Sequence, residues 1–181
     1  MKDTSLEKTD ESHNEDPLIK NEIETKSTSK KRIYDFLDKQ STGVLATIDP
    51  DGNPHATVIY FSVHPDGTLL FTTKARTKKT DNLKFSNKIM LVIYDALTQT
   101  TVQVTGKAEN IDDKQLAQES FLNMIDTANS HSFSGTPPIS QLYDGQYIAF
   151  QITPSQISMA VFMHPSRKGR DLFDNVVFFN D

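Results

Sequence analysis

Short apolar segments separated by turn sequences run through most of the chain after residue 43. Residues 44–48 are largely apolar, residues 49–54 read Asp-Pro-Asp-Gly-Asn-Pro, and a second apolar segment follows at 55–63. This order predicts a β-hairpin, because Gly, Pro, Asn and Asp favour tight turns. Further strands are predicted at residues 68–73, 88–95, 100–110, 146–153 and 156–162.

Helical spacing interrupts this series of strands in three places. Ser29 is a candidate N-cap for a helix over residues 30–39, in which apolar residues recur at i, i+3 and i+4. A short helix is predicted after the third strand, and residues 112–115 resemble a capping box that opens a later helix. Hairpins with few helices predict a mainly β (α+β) domain built on an antiparallel barrel.

One glycine lies inside a predicted strand rather than in a turn. Gly106 interrupts the alternating pattern of residues 100–110. Glycine within a strand is typical of a bulge or of a close approach between two backbones. We therefore expect an irregularity of the sheet at this position.

Composition divides the 181-residue chain into one folded domain with polar ends. Residues 1–29 carry too few apolar side chains to offset the entropy lost on folding, so a disordered N-terminal tail is predicted there. Residues 30–163 are predicted to form the folded domain. Residues 164–181 are predicted to be a C-terminal tail.

Charge and residue content exclude several classes of function. The net charge of -5 argues against a nucleic-acid partner, because such binding needs a basic surface. The absence of cysteine excludes thiol catalysis and cysteine-ligated metals, and the five histidines show no metal-ligand spacing, so no metal site is predicted. No apolar run reaches the roughly 18–20 residues of a membrane helix, which predicts a cytoplasmic protein without membrane contact.

Hydroxyl and basic residues are concentrated in the turn that follows the third predicted strand, within residues 71–83. Thr77 or Thr80 can cap a short helix there, and Lys78 and Lys79 are adjacent. Free backbone N–H groups at a helix start, hydroxyl donors and cations together bind anions, and phosphate is the obvious candidate. The alternative for such a run is a solvated basic turn without a ligand.

Five short motifs follow one another along the chain: Gly43-Val44-Leu45-Ala46-Thr47, Asp51-Gly52-Asn53-Pro54-His55, Leu70-Phe71-Thr72-Thr73, Thr77-Lys78-Lys79 and Val102-Gln103-Val104-Thr105-Gly106-Lys107. These motifs and their order resemble the pyridoxamine 5'-phosphate oxidase-like, FMN-binding split-barrel proteins. The resemblance implies a six-stranded antiparallel split β-barrel with flanking helices. It also implies a homodimer that holds FMN in a groove between its subunits. The resemblance extends over residues 33–162.

The resemblance also implies which residues contact the cofactor. In this family the second strand lies along the flavin ring, a residue early in the fifth strand touches it, and the turn after the third strand holds the phosphate. The residues implied at the ring are Thr57, Val58, Ile59, Tyr60 and Thr101, and those implied at the phosphate are Thr72, Thr73, Thr77, Lys78 and Lys79.

The implied function is an FMN-dependent oxidoreductase acting on a small-molecule substrate or a nicotinamide cofactor. Two departures argue against vitamin B6 salvage: Thr57 stands where the founding oxidase has an Arg, and the C-terminal substrate motif with Arg and His is missing. The alternatives are a non-catalytic flavin-binding or sensor protein and a deazaflavin- or haem-binding member of the same fold. His55 is interpreted as a polar strand-end residue, with a position at the flavin rim as the alternative.

Overall fold

Three helices and eight strands lie within residues 17–130, 138–141, 147–162 and 173–177, which the computed structural model describes. A short 3-10 helix, Pro138–Gln141, follows the third helix. The helices are α1 (Pro17–Leu37), α2 (Lys78–Phe85) and α3 (Lys114–Ser130). The strands are β1 (Thr42–Ile48), β2 (Pro54–Tyr60), β3 (Ser62–Val63), β4 (Leu69–Lys74), β5 (Lys88–Asp95), β6 (Thr100–Asn110), β7 (Tyr147–Val161) and β8 (Phe173–Val177).

All eight strands belong to one antiparallel sheet. Its order is β2-β1-β5-β6-β7-β4-β3, and β8 pairs with β7. The sheet curls until β2 and β4 approach each other without ladder hydrogen bonds between them. The fold is therefore mainly β, an antiparallel split barrel with flanking helices, as predicted. Strands β1, β2 and β4 to β7 correspond to the six expected strands, and the short β3 and β8 are additional.

The core lies inside the curled sheet, where alternate side chains of each strand meet. Leu45 of β1, Leu91 of β5 and Val104 of β6 are fully buried there. Side chains of a strand point alternately to its two faces, so their sequence neighbours lie on the outside. Ile33 and Leu37 of α1 also belong to this core, which confirms the predicted apolar face of the first helix.

Gly106 marks the bulge that the sequence predicted. The pairing of β6 with β7 shifts between Thr105 and Gly106, and Ser155 has no partner in the ladder. A Cβ atom on Gly106 would lie 2.3 Å from the carbonyl oxygen of Thr153, so the two backbones are too close for any side chain. The predicted division into two last strands at Pro154 is wrong, because the bulge absorbs one extra residue and keeps β7 continuous.

The first helix begins earlier than predicted. It starts at Pro17 rather than after Ser29, so its backbone extends into the segment assigned to the N-terminal tail. Residues 1–16 lie outside the described residues, and the disordered tail therefore stays a prediction. Of the predicted C-terminal tail, the structure describes residues 173–177, which form β8 beside β7.

The predicted second strand is two strands, and this break determines where the barrel is open. β2 pairs with β1, whereas β3 pairs with β4 through Ser62 opposite Leu70. The chain therefore crosses from one edge of the sheet to the other at Phe61, which is fully buried. Because β3 pairs with the start of β4, the unpaired boundary of the barrel lies between the start of β2 and the end of β4. We call this boundary the barrel opening.

Candidate functional site

The opening between β2 and β4 lies beside the first turn of α2. Thr77 caps this helix: its hydroxyl accepts from the backbone N–H of Thr80 at 3.4 Å, and the Thr80 hydroxyl accepts from the N–H of Thr77 at 3.0 Å. This reciprocal capping box fixes the direction of the helix. The backbone N–H groups of Lys78 and Lys79 have no acceptor within the helix, so the positive end of α2 presents two donors.

Lys79 is a partly buried cation at this end of the barrel. Its Nζ donates a hydrogen bond to the hydroxyl of Thr73, at the end of β4, over 2.9 Å. Within the residues that the structure describes, no carboxylate lies within ion-pair distance of it. Burial lowers the pKa of Lys79, because removing water disfavours its charged form. An anion bound beside it would supply the missing compensation.

Lys78 has a different partner. Its Nζ lies 3.2 Å from Oδ2 of Asp49, a residue of the turn between β1 and β2. Asp49 is only 7% exposed, and its Oδ1 accepts from the backbone N–H of Asn53 at 2.9 Å. The hydrogen bond from this N–H, together with that from Lys78, holds the pKa of Asp49 below its ordinary value. The charge of Lys78 is thus compensated within the protein.

A buried hydrogen bond holds α2 against the barrel. Nδ2 of Asn82 donates to the hydroxyl of Thr47 in β1 over 3.0 Å, and both side chains are buried. The Thr47 hydroxyl in turn lies 3.4 Å from the carbonyl oxygen of His55. His55 pairs with Thr47, so its side chain shares the inner face of the sheet, and its Nδ1 is buried without a hydrogen-bond partner.

The predicted phosphate residues do not all meet at one point. Thr73, Thr77, Lys78 and Lys79 surround the start of α2, as the preceding contacts describe. Thr72 lies on the opposite face of β4 from Thr73, because side chains alternate along a strand. Its hydroxyl is buried and has no hydrogen-bond partner.

The predicted ring residues of β2 also divide between two faces. Thr57 and Ile59 pair with Leu45 and Gly43 of β1 and point toward the interior. Val58 occupies the outer face, where it is 64% exposed, whereas Tyr60, at the end of β2, is partly buried and packs against the core. Thr101 of β6 shares this outer face, since it lies opposite the exposed Tyr94. The residues predicted to contact the flavin ring can therefore belong to one binding site only if that site includes both faces of β2.

The outer face of β1, β2 and β5 is unusually apolar. Val44 lies directly opposite Val58 on one side and Val92 on the other. Contiguous exposed apolar surface of this kind marks an interaction site more often than an ordinary solvated face. Its large side chains, each at least 40% exposed, are Val44, Ile48, Val58, Met90 and Tyr94.

Sequence reasoning missed three residues of this region and left the position of His55 open. Asp49 was interpreted only as part of a turn, and Thr47 only as part of a strand. Asn82 carried no signal, and the inner position of His55 depends on the pairing of β2 with β1. These contacts join residues 29 and 35 positions apart in the chain, and no local pattern in one sequence indicates them.

The part of the chain that the structure describes contains neither a metal-binding cluster nor a helix that could span a membrane. No group of three or more His, Asp or Glu side chains there is placed to hold a metal ion. None of the described helices combines the length and the apolar character that crossing a membrane requires.

Comparison with known proteins identifies the family. A family model described as pyridoxamine 5'-phosphate oxidase matches residues 29–159, well over half of the chain. The chain belongs to the pyridoxamine 5'-phosphate oxidase family. This confirms the resemblance seen in the sequence motifs and agrees with the split barrel. No curated protein sequence matches the chain.

Solved structures with this fold carry differing descriptions. The conserved hypothetical protein Rv2991 from Mycobacterium tuberculosis is 25% identical with a TM-score of 0.59, over 70% of this chain and 81% of its own. An F420 reductase is 21% identical with a TM-score of 0.54, over 67% and 92% of the two chains. A heme binding protein from Mycobacterium smegmatis is 15% identical with a TM-score of 0.57, over 84% and 57%. The similarity of this chain to the F420 reductase and to the heme binding protein shows a shared fold and nothing more.

Proposed function

We propose that the protein binds FMN at the opening of the barrel and acts as an FMN-dependent oxidoreductase on a small-molecule substrate or a nicotinamide cofactor. The observation that carries the proposal is Lys79, a partly buried cation on the hydroxyl of Thr73 at the start of α2. A structural lysine of this kind is normally paired with a carboxylate when it is buried. Lys79 instead contacts a neutral hydroxyl, as a site for an incoming anion requires.

The donors at this position fit a phosphate group. The phosphate of FMN is an anion, and the site offers it the Lys79 ammonium, the Thr73 hydroxyl and the two free N–H groups of α2. Hydrogen bonds to charged groups contribute about 1.5–3 kcal/mol each. Part of this gain is lost to the costs of association, so a few such bonds are consistent with micromolar binding, about -8 kcal/mol.

We further propose a homodimer that packs through the outer face of β1, β2 and β5. The apolar side chains of this face support the proposal, because a monomer would leave them in water. Val58 and Thr101 would then lie at the subunit boundary, with Thr57 and Ile59 on the inner side of β2 and Tyr60 at its end. A flavin ring lying along β2 between two subunits would be within reach of both sets.

The work of the chain in such an enzyme is binding and orientation. When bound, the flavin supplies the hydride chemistry, and the protein supplies position and exclusion of water. Lys79 and Thr73 would fix the phosphate end. The apolar residues of the outer face would exclude water from the ring. A cytoplasmic location and the lack of a nucleic-acid partner remain predictions from the sequence.

The visible absorbance spectrum of the purified protein tests this proposal, followed by mass identification of any released ligand. If the protein binds FMN, its spectrum should show absorbance bands near those of free FMN, and the released ligand should have the mass of FMN. A Soret band or a released deazaflavin would contradict the choice of cofactor. FMN binding without oxidation of NADH or NADPH would instead support the flavin-binding sensor.

A further inference from the structure

The two adjacent lysines at the start of α2 face different partners. Nζ of Lys78 lies 3.2 Å from the Asp49 carboxylate, and Nζ of Lys79 lies 2.9 Å from the Thr73 hydroxyl. Successive residues of a helix point about 100° apart, so neighbouring side chains cannot share one direction. The sequence Lys78-Lys79 therefore contains two separate contacts, one to each side of the barrel opening.

Asp49 is a rigidly held carboxylate. Its Oδ1 accepts from the backbone N–H groups of Asp51 at 3.1 Å and of Asn53 at 2.9 Å. Its Oδ2 faces Lys78, with the Asn53 amide 3.4 Å away. The carboxylate is buried and remains charged, since these hydrogen bonds favour its ionised form. A phosphate placed at Lys78 would meet this negative charge as well as the lysine.

From these contacts we infer that Asp49 and Lys78 are positioning residues for the proposed phosphate site, in which Lys79 is the cation. The Asp49–Lys78 ion pair joins the β1–β2 turn to the first turn of α2. It thereby holds the free N–H groups of α2 and the side chain of Lys79 at the barrel opening. This inference rests on the proposed binding of FMN and specifies which cation recognises its phosphate.

The rival arrangement makes the opposite prediction. If Lys78 were the phosphate ligand, Asp49 would compete with the phosphate for the same ammonium group. Removing the charge of Asp49 would then strengthen FMN binding. If Asp49 instead positions the helix, the same change weakens FMN binding.

The test compares Asp49→Asn, Lys78→Met, their double variant and Lys79→Met in the full chain. The dissociation constants of riboflavin and of FMN are measured for each, because the riboflavin constant divided by the FMN constant isolates the contribution of the phosphate. Lys79→Met should lower this ratio about tenfold or more, toward one. Asp49→Asn and Lys78→Met should each lower it by about threefold, since each loosens the position of the phosphate donors without removing one of them. Lys78→Arg keeps the positive charge, so its ratio should equal that of the wild type.

Thermal unfolding of the same variants without ligand tests the ion pair by itself. Asp49→Asn and Lys78→Met should each lower the midpoint, and the double variant should lower it by less than the sum of the two. A strictly additive double variant overturns the positioning role, as does a ratio that rises or stays unchanged in Asp49→Asn. Wild-type protein that binds neither FMN nor riboflavin overturns the proposed function and, with it, the role of Lys79. If the unfolding midpoints of the variants are non-additive in that case, the ion pair between Asp49 and Lys78 is still supported.

Discussion

Replacement of Val58 by Glu should separate the stability of one chain from the association of two. Val58 is 64% exposed on the outer face of β2, so its replacement removes little packing within the chain. Such surface substitutions usually change the free energy of unfolding by about 0.5 kcal/mol or less. In a two-fold dimer through this face, the same residue would be buried twice.

The expected magnitude follows from this exposure. Full burial of a valine side chain contributes about 1.5–3 kcal/mol, so burial of the exposed 64% contributes about 1–2 kcal/mol per copy. Two copies give about 2–4 kcal/mol, before the cost of burying two carboxylates is added. The dissociation constant of the dimer should therefore rise by about 30-fold or more.

Sedimentation equilibrium over a range of protein concentrations measures this association directly. Leu122→Glu is a matched control, because Leu122 is 51% exposed on α3, away from the outer face of the sheet. The control should leave both association and unfolding unchanged. The reasoning is refuted if Val58→Glu associates like the wild type, or if the wild type is monomeric at all concentrations tested.

Three further predictions concern the site and the barrel. Lys79→Ala should weaken FMN binding about 10- to 150-fold in a fluorescence titration, whereas Lys84→Ala, on the same helix but paired with Asp81, should not change it. Gly106→Ala should lower the free energy of unfolding in urea by about 3 kcal/mol or more, because its Cβ would meet a backbone oxygen at 2.3 Å; unchanged stability would argue against the bulge. FMN affinity should fall as the pH rises through the pKa of Lys79, which burial lowers below 10.5. Between this pKa and 10.5 the unfolded chain binds more protons than the folded one, so the free energy of unfolding without ligand should rise with pH. A Lys79→Met protein with the same dependence of affinity and stability on alkaline pH would contradict this.

Local signals in the sequence predicted the features that short segments determine. The turn at residues 49–54, the cap at Thr77 and the irregularity at Gly106 all depend on the conformational preferences of a few neighbouring residues. The order of hairpins was sufficient to predict an antiparallel barrel. Pro154 misled the strand assignment, because the close approach of Gly106 allows β7 to pass it without ending.

Contacts between distant segments could not be predicted in the same way. The Asp49–Lys78 ion pair and the Asn82–Thr47 hydrogen bond exist because the barrel brings the β1–β2 turn beside α2. A single sequence gives the residue types but not this register. For the same reason, Lys78 and Lys79 looked equivalent in the sequence, and only their different partners distinguish them.

The most direct test of phosphate recognition is the ratio of the dissociation constants of riboflavin and FMN for the wild-type protein. The two ligands share the flavin ring and differ in the phosphate, so the ratio reports the contribution of the barrel opening alone. We predict that FMN binds at least about tenfold more tightly, as one charged hydrogen bond at Lys79 requires. Equal affinities for the two ligands, or no measurable affinity for either, would contradict the proposed site.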